Sequence, residues 1–131
     1  MQGLDTNILV RIATRDDAGQ LRKVKTLMRE LFSREQPAWV SIIVVTELSW
    51  VLGRRYEYSR DQIGHFLETL LKTDSILVED EIRVGAAIDI YRKNTADFSD
   101  CLILVRNQAH SVTPTHTLDR KAAKIDGFEL L

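Results

Sequence analysis

The chain has 131 residues, of which 44% are hydrophobic and 28% charged, and a formal net charge of −1. That length and balance describe one globular domain, 1–131, with a core of its own, and exclude a disordered or fibrous chain. The near-neutral charge excludes the overall basic footprint of a general nucleic-acid binder, though not a local basic rim around an acidic centre.

Met1 to Val10 is short and mostly apolar, and Leu4, Ile8, Leu9 and Val10 read as the buried first strand of an α/β domain. One carboxylate, Asp5, interrupts it. A buried carboxylate is costly unless it is paired, hydrogen-bonded or bound to a metal, so Asp5 is either a turn cap or a functional group. Thr6 and Asn7 suit the turn and would hold the Asp5 carboxylate still. Because Asp5 breaks the apolar stretch, no signal peptide is read. Apolar runs such as Ile42 to Val45 are far too short to span a bilayer, so the expected location is the cytoplasm.

Gln20 to Phe32 places Leu21, Val24, Leu27, Met28 and Leu31 on one helical stripe. Ala38-Trp39-Val40 reads as a strand, and Ser41 caps a helix from about Ile42 to Arg55. Glu47 stands in the middle of that apolar helix and, like Asp5, needs a reason. Ser59-Arg60-Asp61-Gln62 is a capping box that opens another strongly periodic helix. Ile76-Leu77-Val78 is a strand, and Asp80 or Glu81 starts the helix after it. A polar loop, Asn94 to Ser99, precedes a helix from Asp100 to about His110, with Ser99 and Asp97 as alternative caps. Val112 to Thr117 fits a strand interrupted by Pro114, which puts it at an edge or an end. Asp119 to Ile125 is a turn or short helix, and Phe128 to Leu131 a last strand. Alternating strands and helices predict an α/β fold with a mostly parallel sheet, whose ligands gather at the carboxyl ends of the strands.

Asp5, Glu47, Asp100 and Asp119 each sit where an element begins or ends, or break an apolar face. Carboxylates brought together repel and their pKa values rise unless a cation neutralises them. Hard oxygen donors of this kind suit Mg2+ or Mn2+. Asp100 is equally explained by the helix dipole and Asp119 by a turn. Arg11, Arg15, Arg120 and Lys121, with Arg54, Arg55 and Lys124, are available for a basic rim that would hold substrate. The single cysteine, Cys101, excludes an internal disulfide and reads as a packed core thiol. His65, His110 and His116 lack metal-ligand spacing, and there is no G-x-S-x-G elbow, P-loop or G-x-G-x-x-G.

Four stretches together, Leu4 to Val10, Val45 to Leu52, Ala96 to Ile103 and Thr117 to Ala123, resemble the PIN domain. Within that family they are similar to the small toxin ribonucleases of VapC-type toxin–antitoxin modules. The resemblance runs over essentially the whole chain. It implies a three-layer α/β/α fold and a ribonuclease whose acids, falling here on Asp5, Glu47, Asp100 and Asp119, bind Mg2+ or Mn2+. It implies cleavage leaving a 5′-phosphate and a 3′-hydroxyl, an RNA substrate, a homodimer and a small antitoxin that blocks the site. Thr117 falls on the family's small hydroxyl near the last acid, Asn7 on a supporting group, and Asp97 on an acid found in a subset of members. Leu118 departs from the aromatic or Arg that many members carry. The alternatives are a PIN module used for binding alone, or a phosphoacceptor receiver domain. A receiver needs paired acids after its first strand, and a haloacid-type phosphatase needs an acid where Asn7 stands.

Overall fold

The computed structural model describes residues 1–131, which divide into two compact units, Met1–Glu81 and Ile82–Leu131. In the first unit the elements run α1 (Thr6–Thr14), α2 (Ala18–Leu31), β1 (Ala38–Val40), α3 (Ile42–Arg55), α4 (Arg60–Lys72) and β2 (Ile76–Val78). β1 and β2 pair in parallel, with Ala38 opposite Ile76, Trp39 opposite Leu77 and Val40 opposite Val78. Gly3 forms an isolated parallel bridge to Trp39. The N–H of Leu4 donates to the Trp39 carbonyl at 2.9 Å, and the Trp39 N–H to the Gln2 carbonyl at 2.8 Å. The amino-terminal segment, β1 and β2 thus lie side by side and run the same way. Each connection between neighbours passes through a pair of helices, as parallel strands require.

The start of the chain differs from the expected strand. Its pairing is confined to the Gly3 bridge and the two hydrogen bonds beside it, and the helix begins at Thr6. Ile8, Leu9 and Val10 are therefore helical, with Leu9 and Val10 buried. The local pattern of a short apolar run does not separate a buried strand from a buried helix face. The Asp5 N-cap decides it: at φ −83° and ψ 163° the residue is extended, and its side chain accepts from the Thr6 N–H at 2.7 Å.

α3 matches its sequence signature residue for residue. Ser41 accepts from the Val44 N–H at 3.2 Å. The Glu79 carboxylate, just past β2, accepts from the Ile42 N–H at 2.9 Å. α4 opens with both halves of the Ser59/Gln62 capping box. The buried side chains of this unit include Leu9, Val40, Val45, Leu48, Leu52 and Leu67. On α2 only Val24 is fully buried; Leu27 and Met28 are half-buried and Leu31 is exposed, so the expected stripe is only partly covered.

In the second unit α5 (Glu81–Lys93, opening at the boundary) is followed by α6 (Phe98–Ala109), β3 (Thr115–Thr117), a 3-10 turn (Ala122–Lys124) and β4 (Phe128–Leu130). β3 and β4 pair in parallel, Thr115 opposite Phe128 and Thr117 opposite Leu130. Tyr91 and Phe98 meet edge to face, with ring centroids 5.9 Å apart. Cys101 is fully buried, as expected of a core thiol. Asp97, not Ser99, is the N-cap of α6, but its side chain makes no capping hydrogen bond. Gly127 has φ +106°, and a Cβ there would come within 2.5 Å of Gln108 Nε2 and 3.0 Å of Leu104 Cδ1. No helix is long and apolar enough to cross a membrane.

Candidate metal-binding nuclease site

Three polar side chains of the first unit stand at the carboxyl ends of its parallel segments: Asp5 after the Gly3 bridge, Ser41 after β1 and Glu79 after β2. Ser41 and Glu79 are both engaged at the start of α3. Asp5 is engaged on one oxygen only, by its own helix. It opens onto a cavity of about 250 Å3, whose walls include Thr6, Asn7, Glu47, Arg55 and Tyr56. Glu47 reaches this cavity from α3, without a hydrogen bond or ion pair of its own.

Asp5 and Glu47 are exposed. Neither is therefore the buried charge in need of a partner that the sequence led one to expect. The helix starting at Thr6 lifts Asp5 out of the core, and Glu47 lies on the side of α3 that also exposes Ile43 and Trp50. What distinguishes the two carboxylates is that they share one concave wall with no cation in an ion pair to either. Arg11 pairs instead with Asp16, on the surface. The Asn7 side chain is exposed, while Thr6 is buried and its Oγ1 has no hydrogen-bond partner.

Arg11 lines the same cavity, but its guanidinium is already held by Asp16, Gln20 and the Tyr56 hydroxyl. Its pKa is raised, first by the Tyr56 hydrogen bond and then by the charge of Asp16. Asp16 is held below the ordinary carboxylate range by the Thr14 hydroxyl and by Arg11. Arg15, in contrast, is the left-handed C-cap of α1, at the opposite end of that helix from Asp5. Ten residues at 1.5 Å per residue separate them by about 15 Å along the axis, so Arg15 does not share the cavity. Tyr56 is the lining residue that sequence reasoning did not single out. Arg55 stood only among the rim candidates. The signal that finds both is helical: Glu47, Val51 and Arg55 are spaced i, i+4, i+8 along α3, and Tyr56 is its C-cap.

In the second unit Asp97 and Asp119 both act on Asp100. The Asp100 pKa is raised, first by burial and then by the negative charges of Asp119 and Asp97. Asp119 is fixed by its neighbours: its N–H donates to Thr117 Oγ1 at 3.0 Å, and its Oδ1 accepts from the N–H groups of Lys121 at 2.8 Å and Ala122 at 2.9 Å. Thr117 thus orients the backbone that presents Asp119. The turn reading of Asp119 is correct for one of its oxygens and leaves the other uncommitted. Arg120 and Lys121 follow on the same exposed turn.

No group of three or more His, Cys, Asp or Glu side chains is drawn together closely enough to hold a metal ion. The donors nevertheless suit Mg2+, which keeps several waters and needs only one or two carboxylates, completed by substrate phosphates. A raised Asp100 is what carboxylates show when they lack a counter-charge. In the first unit Asp5 and Glu47 share one cavity and neither is in an ion pair, with Arg11 and Arg55 also in its walls.

An α/β domain with parallel strands and a carboxylate-bearing cavity at their carboxyl edge belongs to a broad class of ligand-binding and catalytic folds. The family is narrower: the PIN domain model matches residues 4–127, and the chain belongs to that family. The chain is also 28% identical over 132 aligned positions to the VapC ribonuclease of Aquifex aeolicus (strain VF5), covering 98% of this chain and 94% of that protein.

Proposed function

We propose that this chain is a Mg2+- or Mn2+-dependent endoribonuclease, the toxin member of a toxin–antitoxin pair. The observation that carries the reading is the cavity of the first unit, where Asp5 and Glu47 face one space without a cation partner. The PIN domain match and the end-to-end similarity to a VapC ribonuclease support it.

The residues assigned to the metal and to catalysis are Asp5, Glu47, Asp100 and Asp119. When bound, the ion supplies an acidified water and neutralises charge on the phosphodiester. The chain's own side chains hold and orient. Asp5 is fixed by the Thr6 N–H, and Asp119 by Lys121, Ala122 and Thr117. Each keeps an oxygen for the ligand. Asp100, whose pKa is raised first by burial and then by Asp119 and Asp97, gains most from a nearby cation. Asn7, Asp97 and Thr6 are supporting groups, and Arg120 and Lys121 are the basic groups assigned to substrate, since Arg11 is held by Asp16, Gln20 and Tyr56. The substrate is RNA with an accessible single-stranded segment, whose backbone can enter a concave site. A homodimer and a small antitoxin are the proposed partners. Leu31 on α2 and Ile43 and Trp50 on α3 are exposed apolar side chains suited to such contacts. The proposed location is the cytoplasm.

The test is direct. Purified protein cleaves RNA in Mg2+ or Mn2+, stops in EDTA, and is inactive as Asp5→Ala. Cleavage without metal, or full activity of that variant, overturns the mechanism. RNA binding without cleavage in every metal identifies a binding module instead.

A further inference from the structure

We infer that Arg55, with the hydroxyl of Tyr56, forms a subsite for the RNA phosphate flanking the scissile one. The inference rests on the ribonuclease reading but concerns groups outside the carboxylate set. Arg55 and Tyr56 line the same cavity as Asp5 and Glu47. Glu47 and Arg55 lie eight residues apart on α3, about 12 Å of helix rise at 1.5 Å per residue. That rise sets the basic group along the cavity from the acids, where the long arginine side chain can reach back to a flanking backbone charge and not to the reacting one.

The cations near the cavity are not equivalent. Arg11 is committed to Asp16, Gln20 and Tyr56. Arg54 lies over the Trp50 ring, 5.6 Å from its centroid. Arg55 has neither an acidic partner nor an aromatic one, and it is exposed. The negative end of the α3 dipole favours an arginine at both positions, so the dipole does not explain why one of them lines the cavity. Arg11 donates to the Tyr56 hydroxyl oxygen at 3.4 Å, which leaves the phenolic O–H to donate outward. A planar guanidinium and a hydroxyl donor side by side match two oxygens of a phosphodiester.

The experiment follows cleavage of a single-stranded oligoribonucleotide in Mg2+ at several KCl concentrations. Arg55→Gln is expected to raise KM about fivefold with kcat nearly unchanged. It is also expected to flatten the slope of log(kcat/KM) against log[KCl] by about 0.7, the loss of one single-strand phosphate contact. Arg55→Lys is expected to keep the slope, because it keeps the charge. Circular dichroism checks that each variant is folded, and Tyr56→Phe, removing one donor and little volume, should raise KM in the same direction. An active wild type with an unchanged KM and slope in Arg55→Gln overturns the subsite alone. A wild type that cuts no RNA in any metal overturns the ribonuclease reading together with it.

Discussion

Asp5 shows how a structural and a chemical role coexist in one side chain. One carboxylate oxygen accepts from the Thr6 N–H and starts α1; the other is left over a cavity that Glu47 shares. The sequence makes both roles visible but misplaces the residue, since the carboxylate is exposed and not embedded in a strand. Thr6, beside it, is the opposite case: its Oγ1 is buried without a partner. An unsatisfied buried hydroxyl costs about 1–3 kcal/mol, so Thr6→Val should melt at the same temperature as the wild type or higher. A clear loss of stability in a thermal melt would show that the hydroxyl has a partner in solution, such as a bound water. Asp100 offers a pH-dependent counterpart. Its folded pKa is raised by burial and by Asp119 and Asp97, so its contribution to stability is fully present below the unfolded carboxylate pKa. That contribution is lost as pH rises through the folded pKa, because burial and the neighbouring aspartates disfavour the ionised form. Asp100→Asn should therefore be more stable than the wild type at neutral pH in metal-free buffer. The difference should shrink as pH falls into the ordinary aspartate range. A wild type that is the more stable of the two at neutral pH contradicts this assignment of charge.

At the scale of elements, local chemistry made most boundaries legible. Ser41 and the Ser59/Gln62 box name the first turns of α3 and α4, and the apolar triplets Ala38-Trp39-Val40 and Ile76-Leu77-Val78 name β1 and β2. Two features were not legible. The first strand shrinks to a bridge because Asp5 turns the chain into a helix at Thr6, and apolar content alone does not distinguish the two outcomes. Glu79 capping α3 from 37 residues away is a tertiary contact with no local signal. It joins the end of β2 to the start of the helix that follows β1, so it fixes the carboxyl edge on which the cavity stands. Glu79→Ala should destabilise the protein by about 1 kcal/mol, the size of a lost cap, without removing α3, which keeps Ser41. Equal melting temperatures for this variant and the wild type would show that the Glu79 bond is not made in solution. Gly127 is a sharper case, because both its φ of +106° and the Gln108 and Leu104 side chains exclude a Cβ. Gly127→Ala should lose more than the ~1 kcal/mol of an ordinary glycine substitution.

At the scale of the molecule, the PIN domain match over residues 4–127 takes in both compact units, and the proposed metal ligands are divided between them. The sequence made the order of these acids legible through family resemblance. It could not tell which of them lack a cation, because pairing depends on side chains brought together by folding. In the first unit Arg11 pairs with Asp16, while Asp5 and Glu47 face the cavity without an ion pair. In the second unit burial, and then the charges of Asp119 and Asp97, raise the Asp100 pKa. A formal net charge of −1 gives the chain no basic field to offset them, so the site should respond to divalent cation before any RNA is present. Metal that binds only the folded chain stabilises it by RT ln(1 + [L]/Kd), about 2.7 kcal/mol at a hundredfold excess over Kd. Mg2+ added to EDTA-treated protein should raise Tm along such a saturating curve, and an equal ionic strength of KCl should not. Asp5→Asn should weaken the response, because it removes a ligand charge while Asn keeps an acceptor for the Thr6 N–H. Arg55→Gln should leave the response intact, because Arg55 is assigned to phosphate and not to metal. A wild-type Tm indifferent to Mg2+ and Mn2+, or a response as large in Asp5→Asn as in the wild type, would remove Asp5 from the metal site even if RNA is still cut.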